Sequence, residues 1–487
     1  MPLNHDPMKN AKLTRRGLLQ GASQAALGIG MLGALDLQPV YGAQNGRAAH
    51  DYGIGFGEEA LLPRRVSAAE KVNIALIGCG GQGMSNLNTF LARPDINVVA
   101  VCDPDSKHMG KAAITVEEKT EKAPEQLKDF RKLLERKDID LVINATPDHW
   151  HALVAISAFQ AGKDIFTEKP ISHNIVEGRQ MVSHAAKHQR VVQVGTWQRS
   201  LQQFIDAVAY VRSGKLGKIN VCRAWKVQDP IAAVMGKEAA MPIPSELDYD
   251  LWVGPAAMLP YQANRCHYKF RWYYNFAGGM TGDWGVHMID TVLLGMNPND
   301  DFVMPTKVMS LGGKFFTGTD DDRTTPDTQI ALIEFPGWML QWEVHVGNTK
   351  TGPNGLAGGA VTGRDHGALF IGSNGSVLVD RSGWSIFDAA GNPVEKPTPI
   401  DTGTKLNGLP AHVAELVASS KARGTTRSNI VSMHKTTTVC HLANLAYQAS
   451  SVLHWDGARE VVTNEKSAMK NLSYQRQYRK GWTLPKA

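Results

Sequence analysis

Two segments of the sequence carry side chains that could stabilise an anion and move a proton. Lys169, which follows Glu168, could place an ammonium group beside an oxygen that gains alkoxide character. His287 stands four residues after Asp283 and three before Asp290, so on a helix it could accept a hydroxyl proton near neutral pH. Spacing alone favours a plainer interpretation, in which Asp283 caps a helix, His287 fills a core and Lys169 is a solvated surface lysine.

A glycine-rich turn follows the apolar run of residues 72–77 and could bind the pyrophosphate of a dinucleotide. Its first glycine can make a tight turn, its second lets the backbone approach a pyrophosphate, and its last permits close helix packing. A helix that begins here would point its N-terminus at the anion. The predicted contacts are Gly78, Gly80, Gly81, Gln82 and Gly83, and a glycine-rich loop of another kind of α/β enzyme is the alternative.

Asp103 ends the next apolar run, twenty residues after Gly83. A carboxylate there can accept hydrogen bonds from the adenine-ribose diol and would repel a 2′-phosphate, so NAD is predicted over NADP, with Lys107 moderating the preference. Residues after the next two apolar runs are predicted to line the nicotinamide side of the site: Thr146, Pro147, His151, Glu168 and Lys169. For His151, a helix start with a satisfied histidine is equally open.

The elements that must position these residues alternate between short strands and helices. Apolar runs at residues 72–77, 96–101, 141–143 and 164–166, with helical patterns between them, predict a doubly wound parallel sheet over residues 70–197. Several β-rich runs between residues 303 and 387 predict a largely antiparallel sheet in an α+β domain over residues 198–455. The remaining predictions are a linker or arm over residues 44–70, a long glycine-rich loop over 351–367 and a packed tail over 456–487.

Glu168-Lys169-Pro170 and the segment from Gly278 to Asp290 resemble the Gfo/Idh/MocA oxidoreductases, over roughly residues 70 to 480. The resemblance implies an N-terminal Rossmann domain and a C-terminal open-sheet domain that holds the substrate and often contributes to oligomers. It also implies that Lys169 lies near the reacting carbon and that His287 is the base, with Asp283 as its partner or a substrate hydrogen-bonder. Together, the two matched segments favour the catalytic interpretation over the plainer one.

Further residues could contact a carbohydrate. Gln198 and Arg199 follow a predicted strand end, and Trp272 and Tyr273 precede the His287 segment. They offer aromatic faces and hydrogen-bond donors, although aromatic residues in a row are more often core. The stretch that contains Arg381 resembles a part of the family's second domain and is interpreted as a structural hairpin.

The first 43 residues resemble a twin-arginine export signal, because Arg15-Arg16 precede a weakly apolar stretch and then small residues. This predicts a periplasmic or exported enzyme with the export machinery as a partner, and an ordinary amphipathic helix is the alternative. The apolar stretch is too short for a permanent membrane anchor. The net charge is +6 without a long basic run, so nucleic-acid binding is not predicted. The five scattered cysteines form no C-x-x-C pair, so no metal site or disulfide framework is predicted.

An exported enzyme has no pool of free NAD to exchange, so the cofactor is predicted to stay tightly bound and to be recycled. The favoured function is oxidation of a sugar, glycoside or polyol hydroxyl by hydride transfer, in a homo-oligomer. The first alternative is a glycoside hydrolase that oxidises, eliminates, hydrates and re-reduces, although nicotinamide-dependent glycosidases carry a Tyr-Pro-Thr-His stretch that this sequence lacks. The second is a non-catalytic sugar sensor on the same fold.

Overall fold

The computed structural model describes residue 67 and residues 70–299, 302–347 and 364–486. The predicted export signal, most of the predicted linker, and residues 351–363 of the predicted glycine-rich loop lie outside the described residues. No helix in the described ranges is both long enough and apolar enough to cross a bilayer.

The first part of the described chain is a six-stranded parallel sheet in the order β3-β2-β1-β4-β5-β6. Its strands are β1 (Val72–Ile77), β2 (Ile96–Cys102), β3 (Glu125–Leu127), β4 (Leu141–Asn144), β5 (Asp164–Thr167) and β6 (Val192–Val194). The connecting helices are α1 (Gly81–Leu91), α2 (Ser106–Thr120), α3 (Phe130–Leu134), α4 (Asp148–Gln160) and α5 (Ile175–Lys187). This confirms the predicted doubly wound sheet.

Burial explains why these runs form inner strands. All residues of β4 and β5 are buried, as are all of β1 except Asn73, which is the pattern of a parallel sheet with both faces covered. Helix α4 is buried along almost its whole length, because it lies between the sheet and the second domain. Asp105 caps α2 by accepting from two backbone N–H groups, and Asn174 caps α5 by accepting from the Glu177 N–H.

The second part is built on a ten-stranded sheet in the order β14-β13-β12-β11-β7-β10-β9-β8-β15-β16. Its strands are β7 (Ile219–Gln228), β8 (Lys307–Gly313), β9 (Thr328–Phe335), β10 (Trp338–Val346), β11 (His366–Gly372), β12 (Gly375–Asp380), β13 (Gly383–Asp388), β14 (Pro393–Val394), β15 (Leu453–Asp456) and β16 (Val461–Val462). All neighbours pair antiparallel except β7 with β10. The predicted largely antiparallel α+β domain is therefore confirmed.

Helices pack on this sheet and also return to the first domain. They are α6 (Gln202–Arg212), α7 (Pro230–Ala233), α8 (Tyr249–Val253), α9 (Gly279–Asp283), α10 (Gly285–Met296), α11 (Leu409–Ala422) and α12 (Ile430–Ala449). Helices α10 and α12 pack on each other, α10 contacts β7, and α12 contacts β8. Helix α11 instead packs on α1, and its Val413, Leu416 and Val417 join the apolar cluster of β1 and β2. The Rossmann sheet is thus completed by a helix from the C-terminal part of the chain.

The last residues hold the two domains together. Arg476 forms a buried ion pair with Glu177 of α5, with Nε 2.6 Å from Oε1. Arg479 Nε donates to the Gly254 carbonyl oxygen at 2.8 Å. The tail therefore contacts one element of each domain.

Candidate active site

A cavity of ≈ 660 Å³ lies at the carboxyl ends of β1, β2, β4 and β5. Its volume falls within the range of about 300–1,000 Å³ that is typical of ligand sites, and its place is where open parallel sheets bind ligands. The glycine turn, Lys169 and His287 all line it. The two predicted halves of the site therefore share one cavity.

The glycine turn has the shape that a pyrophosphate requires. Gly78 has φ +91°, and a Cβ there would lie 2.5 Å from the Ala145 carbonyl oxygen, while a Cβ on Gly83 would collide with the Gly78 carbonyl oxygen. Gly80 and Gly81 instead have no other atom within 4 Å of a Cβ position. Helix α1 begins there without a side-chain cap and without an acidic residue in its first turn. Its N-terminal N–H groups suit an anion, so the turn fits a dinucleotide.

Asp103 also lines the cavity, with an orientation fixed by the backbone. Its carboxylate accepts from the Cys79 N–H at 2.7 Å and from the Asp105 N–H at 2.8 Å. Burial raises its pKa above the ordinary value. Lys107, which was expected to moderate the preference for NAD, is turned away and forms an ion pair with Glu246 of the second domain.

A histidine pair stands beside Asp103 that the sequence did not indicate. His108 and His267 lie with ring centroids 4.3 Å apart, and His267 Nε2 is 3.0 Å from Asp105 Oδ2. Ligand atoms of Asp105, His108 and His267 all lie within 4.8 Å of one another, a geometry that could hold a metal ion. The predicted absence of a metal site rested on cysteine spacing and stays a prediction.

The predicted nicotinamide-side residues also line the cavity: Thr146, Pro147, His151, Glu168 and Lys169. The His151 ring lies between two carbonyl oxygens, with Nδ1 2.6 Å from Pro170 O and Nε2 2.8 Å from Thr146 O. Burial lowers its pKa to about 4. A neutral imidazole carries one N–H, so His151 can donate to only one of these two oxygens at a time. The ring nevertheless joins the loops after β4 and β5.

Glu168 is linked to the glycine turn through a side-chain network. Asn86 of α1 donates to Glu168 Oε1 at 2.9 Å, and Gln82 Nε2 donates to Asn86 Oδ1 at 3.0 Å. Burial raises the pKa of Glu168. This network ties the N-terminal part of α1 to the residue that precedes Lys169.

Lys169 and Asp283 form the central ion pair of the cavity. The lysine ammonium contacts Asp283 Oδ1 and lies 3.4 Å from the Asp283 carbonyl oxygen, while Arg271 Nε is 3.5 Å from Oδ2. Burial alone would raise the pKa of Asp283, but the charges of Lys169 and Arg271 outweigh it and hold the pKa below its usual range. Among the described residues, Asp283 contacts Lys169 and Arg271 and forms no hydrogen bond with His287, although its negative charge raises the pKa of His287. The alternative, in which Asp283 hydrogen-bonds the substrate, stays a prediction.

His287 lines the cavity as a neutral imidazole. It is 5% exposed, and within the described part of the chain its Nδ1 has no hydrogen-bond partner. Burial, and then the charges of Lys169 and Arg381, hold its pKa well below the ordinary value. The expectation that it titrates near neutrality is therefore wrong. Asp290, its other expected neighbour, is bound to Arg199.

Residues 72–196 match the family described as oxidoreductases with an NAD-binding Rossmann fold, and residues 224–310 match that family's C-terminal α/β domain. The chain belongs to the Gfo/Idh/MocA oxidoreductase family.

Known proteins with similar sequence or fold are named for carbohydrate chemistry. The chain is 32% identical over 190 residues to a glycosyl hydrolase family 109 protein of Saccharopolyspora erythraea, a match that covers 38% of this chain and 39% of that one. The chain thus spans about two fifths of the length of this curated relative. Among solved structures, an aldose-aldose oxidoreductase from Caulobacter crescentus has a TM-score of 0.58 at 16% identity, covering 79% of this chain and 100% of that chain. Levoglucosan dehydrogenase in complex with NADH and levoglucosan has a TM-score of 0.57 at 17% identity, covering 79% and 99%. These two likenesses show the fold.

The four residues that were predicted to contact the substrate, Gln198, Arg199, Trp272 and Tyr273, do not line the cavity. Arg199 is buried and paired with Asp290, with Nε 2.8 Å from Oδ2, and Trp272 and Tyr273 pack in an apolar cluster of the second domain. Gln198 is also behind the wall. Their sequence neighbours line the cavity instead: Trp197, Tyr268, Phe270 and Arg271. Both segments reach the cavity, and the orientation of each residue along the 3₁₀ turns Trp197–Ser200 and Tyr268–Trp272 decides which side chains face inward.

Two cavity residues of this Gfo/Idh/MocA chain carry charge that sequence reasoning missed. Asp148, the first residue of α4, is 7% exposed, and burial, followed by the charge of Asp283, raises its pKa to about 7. The Thr-Pro-Asp pattern indicated only a helix start there. Arg381 lies in the turn between β12 and β13, as the hairpin interpretation expected, but its guanidinium lines the cavity.

Proposed function

We propose that this protein is an NAD-dependent oxidoreductase that oxidises a hydroxyl of a sugar, glycoside or polyol and keeps its cofactor bound between turnovers. The observation that carries the proposal is the shared cavity, in which a pyrophosphate-type glycine turn and the group of Lys169, Asp283 and His287 line one space. Fold alone would not carry it, because related folds host many activities.

The residues for the dinucleotide are those at the carboxyl ends of β1 and β2. The N–H groups at the start of α1 would hold the pyrophosphate, and Asp103 would hold the adenine ribose. When bound, the nicotinamide supplies an acceptor for the hydride of the substrate carbinol. The carboxylate of Asp103, with Lys107 turned away to Glu246, supports NAD over NADP.

Proton transfer and charge stabilisation are assigned to different residues among Lys169, Asp283 and His287. His287, kept neutral by burial and neighbouring cations, can accept the substrate hydroxyl proton. The Lys169 ammonium, fixed by Asp283, can stabilise the negative charge that develops on the oxygen. Aromatic side chains in the cavity wall, among them Trp197, Trp252 and Trp284, exclude water and so strengthen these interactions.

Contacts across the adenosine end support a retained cofactor. The loop after β2 is held by the second domain: the Ser106 N–H donates to Glu246 O at 3.0 Å, and the Asp248 N–H donates to Pro104 O at 3.0 Å. His267 adds its contact with Asp105. A dinucleotide enclosed there would leave only after these contacts open.

A redox-assisted glycoside hydrolase is the second candidate. Asp148, with a pKa of about 7, is a buried carboxyl that can hold a proton for a leaving group in the same cavity. The naming of similar proteins after glycosyl hydrolase family 109 points to the same chemistry.

Export and self-association belong to the proposal as well. The Arg15-Arg16 motif supports export through the twin-arginine machinery to the periplasm. One face of β8, β9 and β10 exposes the apolar side chains of Met309, Leu311, Ile330, Leu332 and Met339, which supports a homo-oligomer. Cell fractionation and light scattering of the purified protein test these two points.

The function is tested by incubating the purified protein with a panel of glycosides while nicotinamide absorbance and released aglycone are both followed. A keto or lactone product without aglycone release is the expected result. Aglycone release without net reduction of the cofactor would favour the hydrolase, and no reaction across the panel would favour the sensor. Mass spectrometry of the co-purifying cofactor, with its stoichiometry, tests the retained NAD.

A further inference from the structure

Within the part of the chain that the structure describes, one arginine in the cavity wall has no anion bound to it. Arg381 Nε and Nη2 donate to the same oxygen, Gln198 Oε1, at 3.1 and 2.9 Å. Among the described residues, no carboxylate forms an ion pair with Arg381 and no acceptor contacts its Nη1. Two other buried or half-buried arginines near this cavity are paired, Arg199 with Asp290 and Arg271 with Asp283.

The surroundings of Arg381 hold its guanidinium in place without neutralising it. The guanidinium carbon lies 4.6 Å from the ring centroid of Trp197 and 4.4 Å from that of Trp284. Gln198, its hydrogen-bond partner, is 3% exposed and is therefore fixed as well. Burial lowers the pKa of Arg381 to about 10, so the group is charged at neutral pH but poorly solvated. The charges of Asp283 and Asp365 offset only part of the effect of burial on this pKa, and neither carboxylate forms an ion pair with Arg381 among the described residues. A desolvated cation without a directly bound anion is costly, and an anion that enters the cavity would reduce that cost.

We propose that Arg381 forms a subsite for the carboxylate of an acidic sugar, such as a uronate or an aldonate, within the site of the proposed oxidation. Both N–H groups of Nη1 and the second N–H of Nη2 remain to donate, and two neighbouring cations are committed, since Arg271 lies against Asp283 and Lys226 pairs with Asp365. A phosphate or sulfate ester usually gathers several cations, whereas the Nη1 and Nη2 edge of one guanidinium matches the two oxygens of one carboxylate. The subsite is thus sized for a carboxylate.

The subsite lies next to the reacting group. The charge of Arg381 is one of those that disfavour a proton on His287. A substrate carboxylate on Arg381 would neutralise that charge and make His287 a better proton acceptor. An acidic sugar would then be favoured in binding and also in the proton step. This inference rests on the proposed oxidation for its catalytic part, but its binding part does not.

The test compares binding of glucuronate and glucose to the purified holoenzyme by calorimetry, in wild type, Arg381→Gln, Arg381→Lys and the control Arg459→Gln, which changes an exposed arginine away from the cavity. Wild type and control should bind glucuronate at least about 10-fold more tightly than glucose. Arg381→Gln should remove this preference by weakening glucuronate binding far more than glucose binding, and Arg381→Lys should keep part of the preference. Thermal unfolding and cofactor content are measured for each variant.

Three results would overturn the subsite. Equal weakening of both sugars in Arg381→Gln would mean a structural role, loss of bound cofactor would assign Arg381 to the dinucleotide, and tighter binding of glucose 6-sulfate or glucose 6-phosphate than of glucuronate would mean a different anion. Failure of the proposed function is distinguishable. If glucuronate binding depends on Arg381 but no sugar is oxidised, the proposed oxidation is refuted and the subsite stands. If neutral sugars are oxidised and the results do not depend on Arg381, the oxidation stands and the subsite is refuted.

Discussion

The two ends of the cavity are built in different ways. The dinucleotide end is mainly backbone: a glycine turn, the first N–H groups of α1 and a carboxylate oriented by two further N–H groups. The chemistry end is a set of charged side chains from separate segments: Asp148, Lys169, Arg271, Asp283 and Arg381. Binding at the dinucleotide end depends on free space beside the glycine backbone. The properties of the chemistry end depend on the interactions among its charged side chains.

This difference determines how each end responds to substitution. At the dinucleotide end, added atoms matter more than lost charge. At the chemistry end, each charge sets the pKa of the others, since Lys169 and Arg271 lower that of Asp283, and Asp283 in turn raises that of Asp148. Removing one charge should therefore change the behaviour of groups that are left intact.

The largest effect is expected from Lys169→Met, which removes the charge and keeps the length of the side chain. Loss of a group that stabilises negative charge in the transition state should lower kcat about 10³-fold. Cofactor content should stay near that of wild type, because the dinucleotide end is held by backbone. Steady-state kinetics and cofactor stoichiometry measure both, with Lys111→Met on the exposed face of α2 as control. Full turnover in Lys169→Met would remove the lysine from the mechanism.

Asp283→Asn should lower kcat about 10²-fold, because the ammonium of Lys169 loses its fixed partner. It should also move the pH profile. Asp283 contributes to the raised pKa of Asp148, so its removal should shift the inflection near pH 7 to lower pH. The measurement is kcat/KM across pH 5 to 9. A drop in rate with an unmoved inflection would show that the two carboxyls are not coupled.

Gly80→Val probes the dinucleotide end by adding atoms without strain. Gly80 has extended backbone and open space at its Cβ position, so the fold should be unchanged. The side chain would occupy the space for the pyrophosphate, and bound cofactor should fall about 10-fold or more. Gly110→Ala on α2, which also meets no atom within 4 Å, is the control and should keep the cofactor. Equal cofactor content in the two variants would mean that the pyrophosphate does not bind at this glycine turn.

The contrast between the ends also explains what the sequence could predict. The glycine turn and Asp103 belong to local patterns that fix strand, turn and helix, so their common cavity and the fold class were predictable. Strand β3 escaped prediction because Glu125–Leu127 is short and polar. The ion pair of Lys169 and Asp283 spans 114 residues and that of Arg199 and Asp290 spans 91, separations that no local pattern encodes. The partners of Asp283 could not be predicted from helical spacing either, because Lys169 and Arg271 come from other segments of the chain.

Asp148→Asn should have the smallest effect on the maximal rate, about a few-fold, but it discriminates between the two candidate functions. Asp148 is protonated below its pKa of about 7 and ionised above it. Oxidation of a hydroxyl benefits from a negative charge beside the group that takes the proton, so kcat/KM should rise through pH 7. A hydrolase that uses Asp148 as an acid would instead lose activity over the same interval.

In either case, Asp148→Asn should remove the change in kcat/KM around pH 7, and a comparison of the pH–rate profiles of variant and wild type would show this.

The pH dependence of the unfolding free energy tests the same protonation state. Because the folded state raises the pKa of this carboxyl from 3.8 to about 7, the folded protein holds a proton that the unfolded chain has lost. Unfolding free energy should therefore fall as pH rises between those two values and level off above them. Asp148→Asn should make this slope smaller and leave the part that comes from Asp103 and Glu168, whose pKa values burial also raises. A slope equal to that of wild type would mean that Asp148 is ionised in the folded protein throughout this interval.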